Sequence, residues 1–217
     1  MRDTSRSAGL RVLGVASVCF MVLWCVAQSN CPQLSHTVSN GITAQGFASN
    51  ANVDVEVVDT TNGDFSAAQV NTVETAIENL AAAPGSNADS TTTNTDTMPN
   101  LSQGTASNPI AVVEIATQAQ INSMGAICAG ASACTSYSFN SNGNTTSSTT
   151  MILASAISAS WAAPLMAHEF AQPGMGMQVC PGCSNTVLNP SITDSSPTSP
   201  TACDDVAIKA EQHCKCN

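Results

Sequence analysis

Between residues 53 and 59 the chain reads Val-Asp-Val-Glu-Val-Val-Asp, an apolar–polar alternation with the two-residue period of a half-buried strand. Gly63 and Asp64 mark a turn after it. The period then changes. From Ser66 to Ala83, Val70, Val73, Ile77 and Leu80 recur at intervals of three and four, which predicts an amphipathic helix with Ser66 as N-cap and Pro84-Gly85 as its stop. Residues 84–108 are dominated by Ser, Thr, Asn and Gly with little apolar content, and read as a loop. A second strand is predicted over Pro109–Ala116, and a hairpin over Ser136–Phe139 and Thr149–Leu153 with a long tip at Asn140–Ser148. A helix carrying Trp161, Leu165, Met166, His168 and Phe170 starts near Ser160, with Pro164 in its first turn. Pro173 disfavours helical geometry at the residue before it, so this helix is expected to end near Gln172. A last short helix is expected near Asp204–His213. Strand, helix, strands, helix and a Cys-rich tail over 180–217 together predict an α+β fold with a mixed sheet and two main helices. No internal repeat is visible, and length alone indicates one domain over 28–217.

The first 27 residues stand apart. Arg2, Arg6 and Arg11 form a positive start, and the uncharged apolar stretch Val12–Ala27 has 16 residues, which suits a signal peptide and falls short of the roughly 20 needed to span a bilayer. Retention of this stretch as an anchor is the alternative. Cleavage near Ala27 leaves Lys209 and Lys215 against 14 acids, a formal charge of −12. Such a surface repels phosphate backbones and argues against nucleic acid as a partner. Only 9% of the chain is charged, so Ser, Thr, Asn and Gln must supply most of the solvation.

Eight cysteines remain after cleavage, an even number that in an exported chain reads as a disulfide framework. Eight cysteines allow about 105 pairings, and Cys128 with Cys134 is the best local one. The rival reading places a structural zinc on Cys180-Pro-Gly-Cys183 with Cys214 or Cys216, which oxidising surroundings disfavour. A redox pair at Cys180/Cys183 lacks the βαβ context expected for one. No Gly-x-Ser-x-Gly elbow or phosphate-binding loop is present.

Specific chemistry is concentrated between Met166 and Cys180. A His-Glu-x-x-His helix sets two imidazoles one turn apart on one zinc ion, while the Glu polarises the zinc-bound water. Here His168-Glu169 lies on a predicted helix behind a predicted edge hairpin. Gly174 and Gly176 follow, then Cys180-Pro-Gly-Cys183 and Val187-Leu188-Asn189-Pro190. On these residues the chain resembles the matrixin-like metzincins, loosely over most of its length and more closely over 166–203.

The resemblance implies a secreted zinc endopeptidase acting on polypeptide, with His168 as a zinc ligand and Glu169 as the catalytic base. It puts Gln172 and Gln178 at the other two ligand positions and Leu188 in place of the Met-turn methionine. A neutral amide is a poor partner for zinc beside imidazole. The implied activity is therefore weakened or lost, and the zinc with it. The other function class is a non-catalytic extracellular binding or structural protein on the same scaffold, expected as a monomer with no stable membrane span. The other histidines are His36 and His213; the latter, in the Cys-dense tail, is a candidate substitute ligand.

Overall fold

In a computed structural model, which describes residues 36–81, 88–183 and 186–204, the chain forms one α+β domain around a five-stranded mixed sheet. Two two-residue strands, β1 (Val38–Ser39) and β2 (Ile42–Thr43), make a small antiparallel hairpin at the start. The main sheet contains β3 (Asn52–Val58), β4 (Asp89–Thr95), β5 (Ile110–Ile115), β6 (Ala133–Phe139) and β7 (Thr145–Ile152), in the order β4-β3-β5-β7-β6. The pairs β3–β4, β3–β5 and β5–β7 are parallel, whereas β6 runs antiparallel to β7 and forms an edge.

The helices are α1 (Ala67–Ala81), α2 (Gln118–Ser123), α3 (Ala154–Ile157) and α4 (Ala162–Met175). The alternation read from the sequence decides which face of β3 is covered. Val53, Val55 and Val57 point into the main core and are fully buried, beside Val113 and Ile115 of β5. Val73, Ile77 and Leu80 of α1 and Met166, Phe170 and Ala171 of α4 cover them. Burying a side chain of this size stabilises the fold by about 1.5–3 kcal/mol. The opposite face is capped at the β6–β7 end by a smaller cluster, where Ala116, Ile121 and Cys128 meet the partly buried Cys134 and Met151.

The local signals of α1 act as expected. Gln69 accepts from the Ser66 amide at 2.7 Å and its own amide donates to Ser66 Oγ at 3.4 Å, a reciprocal cap on the first turn. The Pro84-Gly85 stop lies outside the described residues, as do the signal segment, Cys31, His213, Cys214, Cys216 and all of the expected last helix except Asp204, which is helical together with 202 and 203.

Four sequence expectations need correction. The segment 84–108 is not loop throughout: it contains β4, paired in parallel with β3 from Asn52↔Asp89 to Val58↔Thr95. Its sequence, Asp-Ser-Thr-Thr-Thr-Asn-Thr, is rich in β-branched Thr but lies at an edge with no strongly apolar face, so apolar alternation cannot reveal it. The hairpin strands are longer than predicted and the tip is confined to 140–144, because Thr and Ser fill much of β7.

Helix α4 runs through Pro173 to Met175 instead of stopping at Gln172. Pro173 sits in the last turn, whose carbonyls are held from outside the helix. Thr145 Oγ1 donates to Pro173 O at 2.6 Å, the Phe47 amide to Gly174 O at 3.0 Å, and the Thr37 amide to Gly176 O at 2.8 Å. Finally, Gly174 is not part of a turn. It lies in α4, where a Cβ would collide with Leu80 of α1, and Gly176 alone turns the chain, with φ of +66°.

Disulfides join Cys128 to Cys134 and Cys180 to Cys183, with Cα separations of 5.6 and 5.5 Å. The first is the expected local pairing. The second replaces the structural-zinc reading of that pair. Among the described residues no helix is long and apolar enough to cross a membrane.

Candidate functional site

The edge strand β6, helix α4 and the segment after it enclose a cavity of about 530 Å³. One wall is Ala131–Thr135, which leads into and begins β6. The floor is α4, which presents Leu165, His168, Glu169 and Gln172 at the three- and four-residue spacings that put side chains on one helical face. Val179, Pro181, Pro190 and Ile192, together with Trp161 and Ile127, complete the lining. Most of this lining is apolar, with a polar patch on the helix.

Three of the four sequence-predicted site residues thus come together. His168 and Glu169 are buried and Gln172 is half-buried, all on one cavity wall. Gln178 is exposed and is not among the lining residues; Val179 faces the cavity instead. Leu188 is fully buried in the main core. His36 forms a backbone bridge with Met177 and does not line the cavity.

His168 Nδ1 lies 2.7 Å from the carbonyl oxygen of Val187. A carbonyl can only accept, so Nδ1 carries the proton, and in the neutral ring Nε2 keeps the lone pair. Val187 is itself fixed from below: its amide donates to Asp204 Oδ2 at 3.2 Å, and the same carboxylate oxygen accepts from the Thr201 amide at 2.8 Å and from Thr201 Oγ1 at 2.9 Å. The Cys180 amide donates to Leu188 O at 2.9 Å, so the disulfide loop and the 187–190 segment are tied together beneath α4. Sequence reasoning placed the Val-Leu-Asn-Pro segment near the site but missed Asp204, which no short motif marks.

Glu169 is committed to the sheet. Its Oε2 accepts from Thr135 Oγ1 at 2.6 Å, and Thr135 Oγ1 lies 2.8 Å from Thr150 Oγ1. With an ionised Glu169 the direction is fixed: Thr150 donates to Thr135 and Thr135 donates to the carboxylate. Burial pushes the Glu169 carboxyl above the ordinary carboxylate range, while the charge of His168 and the Thr135 hydrogen bond pull it partly back. Thr135 and Thr150 carry no sequence signature. They face α4 because the register Thr135↔Thr150 sets both hydroxyls on the helix-covered side of the hairpin.

This donor set does not fit a catalytic zinc. Such a site uses three strong donors and one open position. Here one wall supplies a single imidazole, an amide and a carboxylate already bonded to Thr135. Among the described residues no group of three or more His, Cys, Asp or Glu side chains is arranged to hold a metal ion. What the arrangement can do without a metal is accept hydrogen bonds at the base of an apolar cleft beside a strand edge.

Comparison with protein-family models, with curated proteins and with solved structures found no significant match.

Proposed function

We propose that this chain is an exported, matrixin-like homologue of the zinc endopeptidases that retains a polypeptide-binding cleft and has weak or no hydrolytic activity. The observation that carries the proposal is the cleft between edge strand β6 and α4, which holds His168 and Glu169 but only one imidazole. An extended polypeptide fits such a cleft, because an edge strand offers unpaired backbone N–H and C=O groups on its outer side and a neighbouring pocket selects side chains. The Thr135–Glu169 bond favours binding without cleavage, since the carboxylate is engaged by the sheet. Export is supported by the disulfides Cys128–Cys134 and Cys180–Cys183, which persist in oxidising compartments, and by the arginine-led apolar start of the sequence.

Elemental analysis of the native secreted protein tests this reading. Less than about a tenth of an equivalent of zinc and no cleavage of casein are expected, on the weakness of amide donors. Stoichiometric zinc with casein cleavage would replace it with a working peptidase. The substitution Gln172→His, which sets a second imidazole on the cavity wall beside His168, is expected to raise zinc affinity at least about tenfold. Unchanged affinity would remove the metzincin geometry.

A further inference from the structure

Three Asn-Gly pairs occur among the described residues: Asn40-Gly41, Asn62-Gly63 and Asn142-Gly143. Glycine has no side chain to shield its amide nitrogen, so in such a pair that nitrogen can reach the preceding side-chain carbonyl carbon. The fold treats the three differently. The Gly63 amide donates to Thr60 O at 3.0 Å, and Asn62 Nδ2 donates to Ile115 O at 3.3 Å and to Gln120 Oε1 at 3.1 Å. The Gly143 amide donates to Asn140 O at 2.9 Å, and Gly143 is buried with no room for a Cβ beside the Thr43 carbonyl. Asn40 and Gly41 are both exposed, and neither the Asn40 side chain nor the Gly41 amide makes a hydrogen bond among the described residues. Nothing lies within 4 Å of where a Cβ on Gly41 would stand. Their φ values, +52° and +78°, belong to the two-residue turn between β1 and β2. Ring closure requires backbone rotation at Asn40, and strands of two residues each leave that rotation open.

We propose that Asn40 is a spontaneous modification site: the Gly41 amide nitrogen attacks Asn40 Cγ, and the product slackens the seam that holds the end of α4. Hydroxide takes the Gly41 N–H proton as the new N–Cγ bond forms. The Cγ–Nδ2 bond then breaks and Nδ2 leaves as ammonia, giving a five-membered imide. Water reopens the ring on either side. Cleavage of the N–Cγ bond yields an aspartate at position 40. Cleavage between the imide nitrogen and the Asn40 carbonyl carbon yields an isoaspartate, through which the backbone is one carbon longer. The net change is amide plus water to acid plus ammonia, with no oxidation or reduction. The consequence follows from what flanks the turn. Before it, the Thr37 amide donates to Gly176 O at 2.8 Å and Tyr137 Oη donates to Thr37 Oγ1. After it, the Ala44 amide donates to Thr37 O at 2.8 Å and the Phe47 amide to Gly174 O at 3.0 Å. A longer link between residues 40 and 41 offsets the pairing of Val38 with Thr43 and of Ser39 with Ile42. The strap on the end of the helix that carries His168, Glu169 and Gln172 is then loosened, whatever the cleft binds.

The test ages the disulfide-intact secreted protein at neutral and at alkaline pH, digests it, and weighs the peptide bearing each Asn-Gly pair. Isoaspartate is scored with an isoaspartyl methyltransferase. The 40–41 peptide should gain about 1 Da and isoaspartate first, and faster at alkaline pH. It should convert at least about tenfold faster than the 62–63 and 142–143 peptides, whose reacting groups must first give up hydrogen bonds. In urea, where those bonds are absent, the three rates should agree within about threefold. Aged protein should exchange amide hydrogens faster over 36–47 and in the last turn of α4 than fresh protein does. Asn40→Gln, whose longer side chain disfavours the five-membered ring, should show the same exchange before and after ageing, and the wild-type rates stand without it. Equal rates at the three pairs in the folded protein, or a faster rate at 62–63 or 142–143, would overturn the site. Conversion at position 40 with unchanged exchange at the end of α4 would overturn its link to the seam.

Discussion

Replacing Gly46 by alanine should destabilise the protein by about 3 kcal/mol or more, lowering the unfolding midpoint by roughly 6–12 °C, because two independent penalties coincide there. Gly46 has φ of +81°, where a Cβ meets its own backbone. A Cβ at this position would also lie 2.1 Å from the carbonyl oxygen of Gly174, and a backbone atom in a buried helix end cannot step aside as a flexible side chain can. The contact is central to the fold. Residues 36–47 run between the hairpin tip and the end of α4, with the Phe47 amide donating to Gly174 O at 3.0 Å and the Thr145 amide to Gly46 O at 2.8 Å. Calorimetry or chemical denaturation of Gly46→Ala beside wild type measures the effect. A midpoint within about 2 °C of wild type would mean that this seam does not hold the helix end.

The second large effect concerns Glu169 and has a definite sign. Its folded carboxyl titrates above the ordinary value of 4.5, chiefly because burial disfavours the charge. The folded state therefore binds the proton more tightly than the unfolded state does. Stability linked to this group is fully present below pH about 4.5 and is lost as pH rises through the raised folded value. Glu169→Gln removes the titration and keeps an oxygen that can accept from Thr135 and an amide that can donate in turn. The variant should therefore match or fall below wild type in acid, and exceed it by roughly 1–3 kcal/mol above neutrality, the scale of an incompletely compensated buried polar group.

Glu114 is raised by burial as well, so some loss of stability with rising pH should remain in the variant. Urea unfolding across pH 4 to 8 provides the measurement. A wild type whose stability climbs through that range, with Glu169→Gln below it at neutrality, would show that the carboxylate is stabilised as the anion.

The sequence made some of this visible because apolar side chains at regular spacing have few ways to leave water. Val53, Val55 and Val57 allow one strand face, and Val73, Ile77 and Leu80 one helical stripe, and both appear where the periods place them. Where Thr and Ser make the strand, as in β4 and most of β7, backbone pairing is what decides, and pairing partners distant in sequence leave no periodic mark. Pro173 misled for a related reason: its local preference is real, but the last turn is secured by Thr37, Phe47 and Thr145, which are far away along the chain. At the cleft, His168-Glu169 was legible as a dipeptide with a known chemistry. Its actual engagements were not, since Val187, Thr135 and Thr150 contribute a carbonyl and two hydroxyls, groups found everywhere.

The two rims of the sheet have opposite characters, and this bears on how the protein stays dispersed. Strand β4 ends the sheet with hydroxyls, an amide and the Asp89 carboxylate, all of them exposed or half-exposed, and Thr93 Oγ1 is bonded to Glu56 at 2.9 Å. Such a rim holds water firmly and offers little greasy surface for fibril-like stacking against a sister molecule. The net negative charge of the chain already keeps copies apart at long range, and a hydrated threonine border acts at contact, where that charge is screened.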